Sequence, residues 1–316
     1  MAKVIPTIQM VLEKYPKIAA VERLRTGGKP GAKTVRNMIS CVTRLCKMAG
    51  VALESPVSIF TRKMLTKLLD SACLEGLKPV TIWSYLNALK ALFARWARNY
   101  YTDAHWQIPV IELPSYNKMP QRYVRPDSKV LAKVKRWYNS LTEREDDREW
   151  VAATLMLEFA MRNGDVGRLR WSDFRERDGA IILCYTPHKT ALSSGRRVAW
   201  PVHPEIWAKL CEYRDHGRHY FKKKAPRRLE DKNAPLVVPC ADDVFVRLNG
   251  DLRAQKIFTG PKGCYELRKI CIDHVYQKFG AEMASSISGD DIRTMMRYYA
   301  DPSQPNVGEL KIVDLL

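Results

Sequence analysis

Three prolines, at 109, 114 and 120, fall within the stretch Ile108–Arg125. Each lacks a backbone N–H and is excluded from helix interiors and central strands. The stretch therefore reads as a linker that cuts the chain near one third of its length, and the hydrophobic pattern differs on its two sides. With 316 residues there is enough chain for two cores, since single cores stop growing beyond about 250 residues. The expected division is residues 1–118, a helical domain with its linker, and 119–316, a second domain.

The first part reads as helix throughout its patterned stretches. After the breaker run Thr26-Gly27-Gly28-Lys29-Pro30-Gly31, the apolar positions Val35, Met38, Ile39, Val42, Leu45 and Cys46 recur at three and four, one face of a helix. Ser58–Leu69 is a second helix. Pro79 opens a third, running to Tyr100, with Ile82, Leu86, Leu89, Phe93 and Trp96 on one stripe. The second part mixes periods. Asp127–Ser140, Arg148–Met161, Pro204–Arg214, Lys262–Phe279 and Asp290–Ala300 read as helix. Gly179–Thr186 and Arg197–Val202 read as strands of a hairpin turning at Ser193-Ser194-Gly195. The fold class is mainly α with a small β-sheet or hairpin: an all-helical domain followed by an α+β domain.

Charge narrows the partner. The chain carries 53 Lys+Arg against 34 Asp+Glu, a net charge of +19, and the positive excess is densest in the first third, where acids are few. Such an excess favours nucleic acid, through phosphate neutralisation and counterion release. The densest basic run, Arg218–Arg228, reads as a loop along a phosphate backbone. A composition 46% hydrophobic and 28% charged excludes disorder throughout. No apolar run approaches the roughly 18 residues of a membrane helix, and Met1–Met10 lacks a signal-peptide layout, so an intracellular chain without membrane contact is expected. The eight cysteines form no CxxC pair and read as reduced core residues rather than metal ligands.

Four short stretches carry reactive side chains. Arg162 sits in Met161-Arg162-Asn163-Gly164-Asp165, where an apolar helix stops. Lys189 follows His188 within the hairpin. Tyr265-Glu266-Leu267-Arg268 opens a helix, and Gly289-Asp290-Asp291-Ile292-Arg293-Thr294-Met295-Met296-Arg297-Tyr298-Tyr299 forms a short basic helix with paired tyrosines. In this order the set resembles the tyrosine recombinase (phage integrase) family over most of the chain. The resemblance implies a helical core-binding domain over roughly 30–110 and a catalytic domain that breaks and rejoins DNA through a 3′-phosphotyrosine. Arg162 and Arg268 would clamp the non-bridging oxygens with always-charged donors, and Lys189 would protonate the leaving 5′-oxygen.

The expected nucleophile is Tyr298, from its similarity to the family's Thr-x-x-x-Tyr pattern at Thr294, with Tyr299, favoured by counting from Gly289, as the alternative. These side chains diverge by about 100° on a helix, so only one can face the phosphate. The sequence departs from the family pattern at Tyr265, where His is usual, and at Asp290 or Asp291, where His or Trp is usual; Tyr265 and Asp290 thus join the candidate site. His274 reads as a packing residue. No cofactor and no metal are implied. The implied partners are double-stranded DNA and further copies of the chain, a dimer per site and a tetramer on two sites, in a nucleoid or, in a eukaryotic host, a nucleus. Arg36, Arg44, Lys90 and Arg95, on the first and third helices, are the candidate DNA contacts. Two alternatives stay open: a type IB topoisomerase and a DNA-binding relative that no longer cleaves.

Overall fold

The structure, a computed structural model, describes residues 4–27, 30–74, 76–77, 79–103, 105–108, 110–111, 123–189, 191, 195–219, 235–260 and 262–299. Much of the proline linker, Ser193 and Ser194 of the hairpin turn and the basic run beyond His219 lie outside the described residues. The chain divides into two compact units, residues 1–120 and 121–316.

The first unit is helical: α1 (Ile8–Arg25), α2 (Ala32–Met48), α3 (Arg62–Leu74), α4 (Pro79–Leu92) and α5 (Arg95–Asp103). Thr7 caps α1, its hydroxyl accepting from the Met10 N–H at 3.2 Å. The buried face of α1, Ile8, Val11, Leu12, Tyr15, Ile18 and Ala19, packs with Val35, Val42 and Leu45 of α2. The helix read from Pro79 to Tyr100 is in fact two, parted at Phe93 and Ala94. The buried Tyr101 hydroxyl donates to the Leu92 carbonyl at 3.4 Å, giving a partner to an oxygen that the break leaves outside the helix ladder. Arg36, Arg44, Lys90 and Arg95 are all exposed.

The second unit contains α6 (Ser128–Ser140), α7 (Arg148–Leu157), α8 (Asn163–Val166), β1 (Phe174–Arg177), β2 (Ala180–Tyr185), β3 (Val198–Pro201), α9 (Pro204–His216), α10 (Ala241–Ala254), α11 (Gly263–Ser288) and α12 (Ile292–Tyr298). The three strands form an antiparallel meander in the order β1-β2-β3, with Phe174 opposite Leu183 and Tyr185 opposite Val198. The expected hairpin is β2–β3; β1 joins it as a mostly exposed edge strand. Every residue of α7 is buried, and the helix packs against α10 and α11 at the centre of the unit. It ends at Leu157, short of the expected Met161, because Ala160 turns left-handed at φ 48°. In α11 the backbone breaks at Gly280, φ 86°, immediately after Phe279, where the sequence pattern stops. Among the described residues, no helix is long and apolar enough to cross a membrane.

Candidate active site

The C-terminus of α7 sets the first arginine. A non-glycine residue in the left-handed region costs on the order of 1–2 kcal/mol, so Ala160 holds this geometry against its own preference. Its fully buried carbonyl accepts from Arg268 Nη1 of α11. Two residues later Arg162 stands at the N-terminus of α8 with extended backbone, φ −81° and ψ 148°. Its Nη2 donates to Asp290 Oδ1, and its Nη1 lies 3.7 Å from Asp165 Oδ2. The other oxygen of Asp165 accepts the His188 N–H at 2.9 Å, which ties Arg162 to the base of the hairpin.

Arg268 is 0% exposed. A guanidinium at that depth is tolerated only when paired and hydrogen-bonded. Nη2 donates to the Ser288 carbonyl at 3.0 Å and to Asp290 Oδ2 at 2.7 Å, while Nε has no hydrogen-bond partner among the described residues. The Tyr299 ring covers the group, its centroid 5.3 Å from Cζ, close enough for a cation–π contact.

One carboxylate, Asp290, therefore bridges both arginines. It lies in the short link between α11 and α12, and its backbone is fixed from both sides. The Asp290 N–H donates to Ser288 Oγ at 3.2 Å; its carbonyl accepts from Ser285 Oγ at 2.7 Å and from Arg196 Nη1 at 3.1 Å. Gly289 before it is left-handed, φ 64°, and a Cβ there would come within 2.7 Å of Pro187 Cγ and 3.2 Å of Val198 Cγ2. Only glycine both makes this turn and lets the link press against the hairpin.

Tyr265, one helical turn before Arg268, shares a hydrogen bond between hydroxyls with Tyr299. Burial pushes the Tyr265 phenol well above its ordinary range and neighbouring Tyr299 adds to this, while Arg268 and Arg162 pull it down. Tyr185, at the end of β2, has a buried hydroxyl with no hydrogen-bond partner among the described residues, and burial raises its phenol too. Tyr298 is the last residue of α12, and its side chain lies outside the described residues. Lys189 is exposed in the turn after β2 and makes none of these contacts.

Five of the candidate residues, Arg162, Tyr265, Arg268, Asp290 and Tyr299, thus meet in one linked cluster. The sequence alone does not single out Arg196, Ser285, Ser288 or Tyr185, and gives Asp165 no role beyond its place in the stretch Met161–Asp165. The pattern Ser285-x-x-Ser288-Gly289-Asp290, small polar residues ahead of a glycine, is a helix-stop signal that marks the link once it is sought.

No family model and no curated protein matches the sequence. Solved structures do match the fold. A lambda integrase tetramer bound to a Holliday junction aligns over 97% of this chain and 80% of its own, at 19% identity and a TM-score of 0.62. The Tn1549 transposon integrase in complex with a circular intermediate DNA aligns over 94% and 96%, at 14% identity and a TM-score of 0.60. The XerH site-specific recombinase bound to a palindromic difH substrate aligns over 90% and 78%, at 18% identity and a TM-score of 0.55. The chain has the integrase fold of the tyrosine recombinases. The resemblance carried by the four short stretches is borne out at the level of fold. In this integrase fold the Asp290 cluster is built from the end of α7, the start of α11 and the α11–α12 link, with the hairpin base packed beside it.

Proposed function

We propose that the chain is a site-specific DNA recombinase or integrase that cleaves and rejoins duplex DNA through a 3′-phosphotyrosine. The observation that carries this reading is the convergence of Arg162 and Arg268 on a single two-oxygen anion, with a tyrosine hydroxyl in the same cluster. Attack of a phenol oxygen on the phosphorus forms a Tyr–O–P bond and breaks the bond to the 5′-oxygen, and the phenol proton passes to solvent. The leaving 5′-oxygen takes a proton from Lys189, the general acid, once its exposed turn meets DNA. The two guanidiniums stabilise the extra charge that develops on the non-bridging oxygens, a contribution worth about 2.7–4 kcal/mol per donor removed in comparable sites. A 5′-hydroxyl from the partner strand reverses the step and releases the tyrosine. The bond energy stays in the phosphotyrosine, so the scheme calls for no cofactor.

Two tyrosines qualify as nucleophile. Tyr299 has its ring on Arg268 and its hydroxyl against Tyr265, and Tyr298 has the Thr294-x-x-x-Tyr spacing. The exposed Arg36, Arg44, Lys90 and Arg95 contact the DNA backbone in this reading. Assembly as a dimer per site and a tetramer on two sites is supported by the lambda integrase dimer on a core site and the tetramer on a Holliday junction. Activity is placed where the host keeps its DNA, nucleoid or nucleus.

A nicked suicide substrate carrying the cognate site tests the proposal. Wild-type protein is expected to form a covalent adduct, and one of Tyr298→Phe and Tyr299→Phe to lose it. An adduct that persists in the double variant refutes the mechanism. The occupied arginine pair favours a second reading, a DNA-binding relative without cleavage, which predicts salt-sensitive binding and no adduct at any enzyme concentration. Relaxation of supercoiled plasmids without a defined site would instead mark a topoisomerase.

A further inference from the structure

The two arginines that the proposed reaction reserves for phosphate already hold an anion. Asp290 gives one carboxylate oxygen to Arg162 and the other to Arg268, the bridging arrangement that two non-bridging oxygens of a phosphodiester would adopt. On Arg268, one Nη1 hydrogen is taken by the Ala160 carbonyl and both Nη2 hydrogens by the Ser288 carbonyl and Asp290, so the Nη2 edge that would meet a phosphate is full. The same N–H donors cannot serve a carboxylate and a phosphate at once, and two anions side by side in a buried pocket repel.

Asp290 is also placed so that it can move. It stands outside both α11 and α12, in the link that follows the left-handed Gly289, and swinging its side chain away breaks no helical hydrogen bond. In its present position it supplies the counter-charge without which a fully buried guanidinium is expensive.

We infer that Asp290 is a built-in occupant of the phosphate seat, which DNA must expel before Arg162 and Arg268 can act. This rests on the clamp reading of the two arginines given above. An isolated phosphate has to displace the carboxylate with few contacts of its own. A phosphate within a bound duplex adds the energy of all the neighbouring contacts, so the occupant biases the site toward DNA and against free anions.

Orthophosphate at constant ionic strength is the probe, with affinity read from thermal stabilisation of the full chain. Asp290→Asn is expected to bind phosphate about tenfold or more tightly than wild type, because a like charge is removed from the seat. Ser285→Ala removes one of the two donors to the Asp290 carbonyl, leaving that of Arg196, and keeps both ion pairs in a fully charge-matched protein. It is expected to shift affinity in the same direction by about threefold, because the hydroxyl's bonds to the Asp290 carbonyl and from Arg196 Nη1 only steady the link and do not touch the carboxylate. Arg162→Ala added to either variant should abolish the gain. Equal phosphate affinity in wild type, Asp290→Asn and Ser285→Ala, still lost with Arg162→Ala, overturns the occupant while keeping the clamp. Weaker binding in Asp290→Asn overturns it in favour of a carboxylate that only positions the arginines. Binding that ignores Arg162 in every variant overturns the clamp and the occupant together.

Discussion

Two clusters of buried charge lie in the second unit, and they differ in how completely they are paired. In the first, the fully buried Arg148 donates to both oxygens of Asp146, at 2.8 and 2.6 Å, and to the Pro239 carbonyl at 2.9 Å. Arg247 joins Asp146 to Glu149, and Arg144 joins Glu149 to Asp251, which also accepts from the Trp137 indole at 2.6 Å. No side-chain atom of these residues is buried without a partner among the described residues. The second cluster, around Asp290, leaves Arg268 Nε, Arg162 Nη1 and the Tyr185 hydroxyl buried and without a hydrogen bond. A closed network holds α6, α7 and α10 together and, among the described residues, leaves none of its buried side-chain polar atoms without a partner. An incompletely paired one keeps donors in reserve, at a cost in stability that makes sense where a substrate will supply the missing acceptor.

The sharpest way to break this comparison is to delete an arginine from the closed network. Arg148→Met takes the donor from the Pro239 carbonyl and leaves the buried Asp146 carboxylate paired with Arg247 alone, and unfolding in urea is expected to show a loss of about 3–5 kcal/mol. Added phosphate should restore none of it. A loss below about 1 kcal/mol, or rescue by phosphate, would mean that the two clusters are not different in kind.

Next in size is Glu158, at the end of α7, buried with Oε1 unpartnered among the described residues. Burial alone raises its carboxyl from 4.5 to about 7. Below pH 4.5 the group is protonated folded or unfolded and costs nothing. As pH rises from there to about 7 the unfolded chain gives up the proton first, so this group's contribution to stability falls, and it levels off above 7. Glu158→Gln should match wild type at pH 4 and exceed it at pH 8, by up to the order of 3 kcal/mol. Parallel stability curves across that range would show that Glu158 has a partner in solution and belongs with the paired charges.

These differences bear on what a sequence can reveal. Helices with an apolar stripe and a clear start, such as α2, α6 and α9, are legible from period and cap alone; Asp127 and Pro204 announce two of them. Helix α1 escapes notice because Pro16 lies inside it, although Ile8, Val11, Leu12, Tyr15, Ile18 and Ala19 keep helical spacing around the proline. Helix α10 is masked by an interior Gly250 and by Cys240, a left-handed residue at its N-cap where Ser, Thr, Asp or Asn would signal a start. Strand β1 exposes three of its four residues and carries no alternation. Arg162, Tyr265, Arg268 and the paired tyrosines can be picked out by order along the chain. That Asp290 sits between the arginines cannot, because the contact depends on the left-handed turns at Ala160 and Gly289, and a one-dimensional pattern does not record φ.

Gly289 sharpens the same point at a smaller scale. Alanine there must adopt a positive φ and push against Pro187, so a loss of about 2 kcal/mol is expected in thermal or urea unfolding. Because the link also carries Asp290, the variant should lose the bridging contact and bind phosphate differently from wild type. Gly250→Ala is the control, since a Cβ there meets nothing within 4 Å. It should be neutral or stabilising and leave phosphate binding unchanged. If Gly289→Ala behaved like Gly250→Ala, the link would not be what positions the carboxylate.

The smallest effect on stability and the cleanest separation of roles are expected from the first unit. Among its described residues no charged residue is fully buried, and Arg36, Arg44, Lys90 and Arg95 are exposed. Arg44→Ala and Lys90→Ala should leave the melting temperature unchanged, because neither side chain completes an interior. Under the proposed reading, what they lose is phosphate contact. Each should weaken DNA binding about equally for cognate and unrelated sequences, and reduce the slope of log affinity against log salt by about 0.9. A variant that lowers affinity only for the cognate site would instead place that side chain against a base edge. A variant that melts early would mean that the first unit, like the second, uses charge to hold itself together.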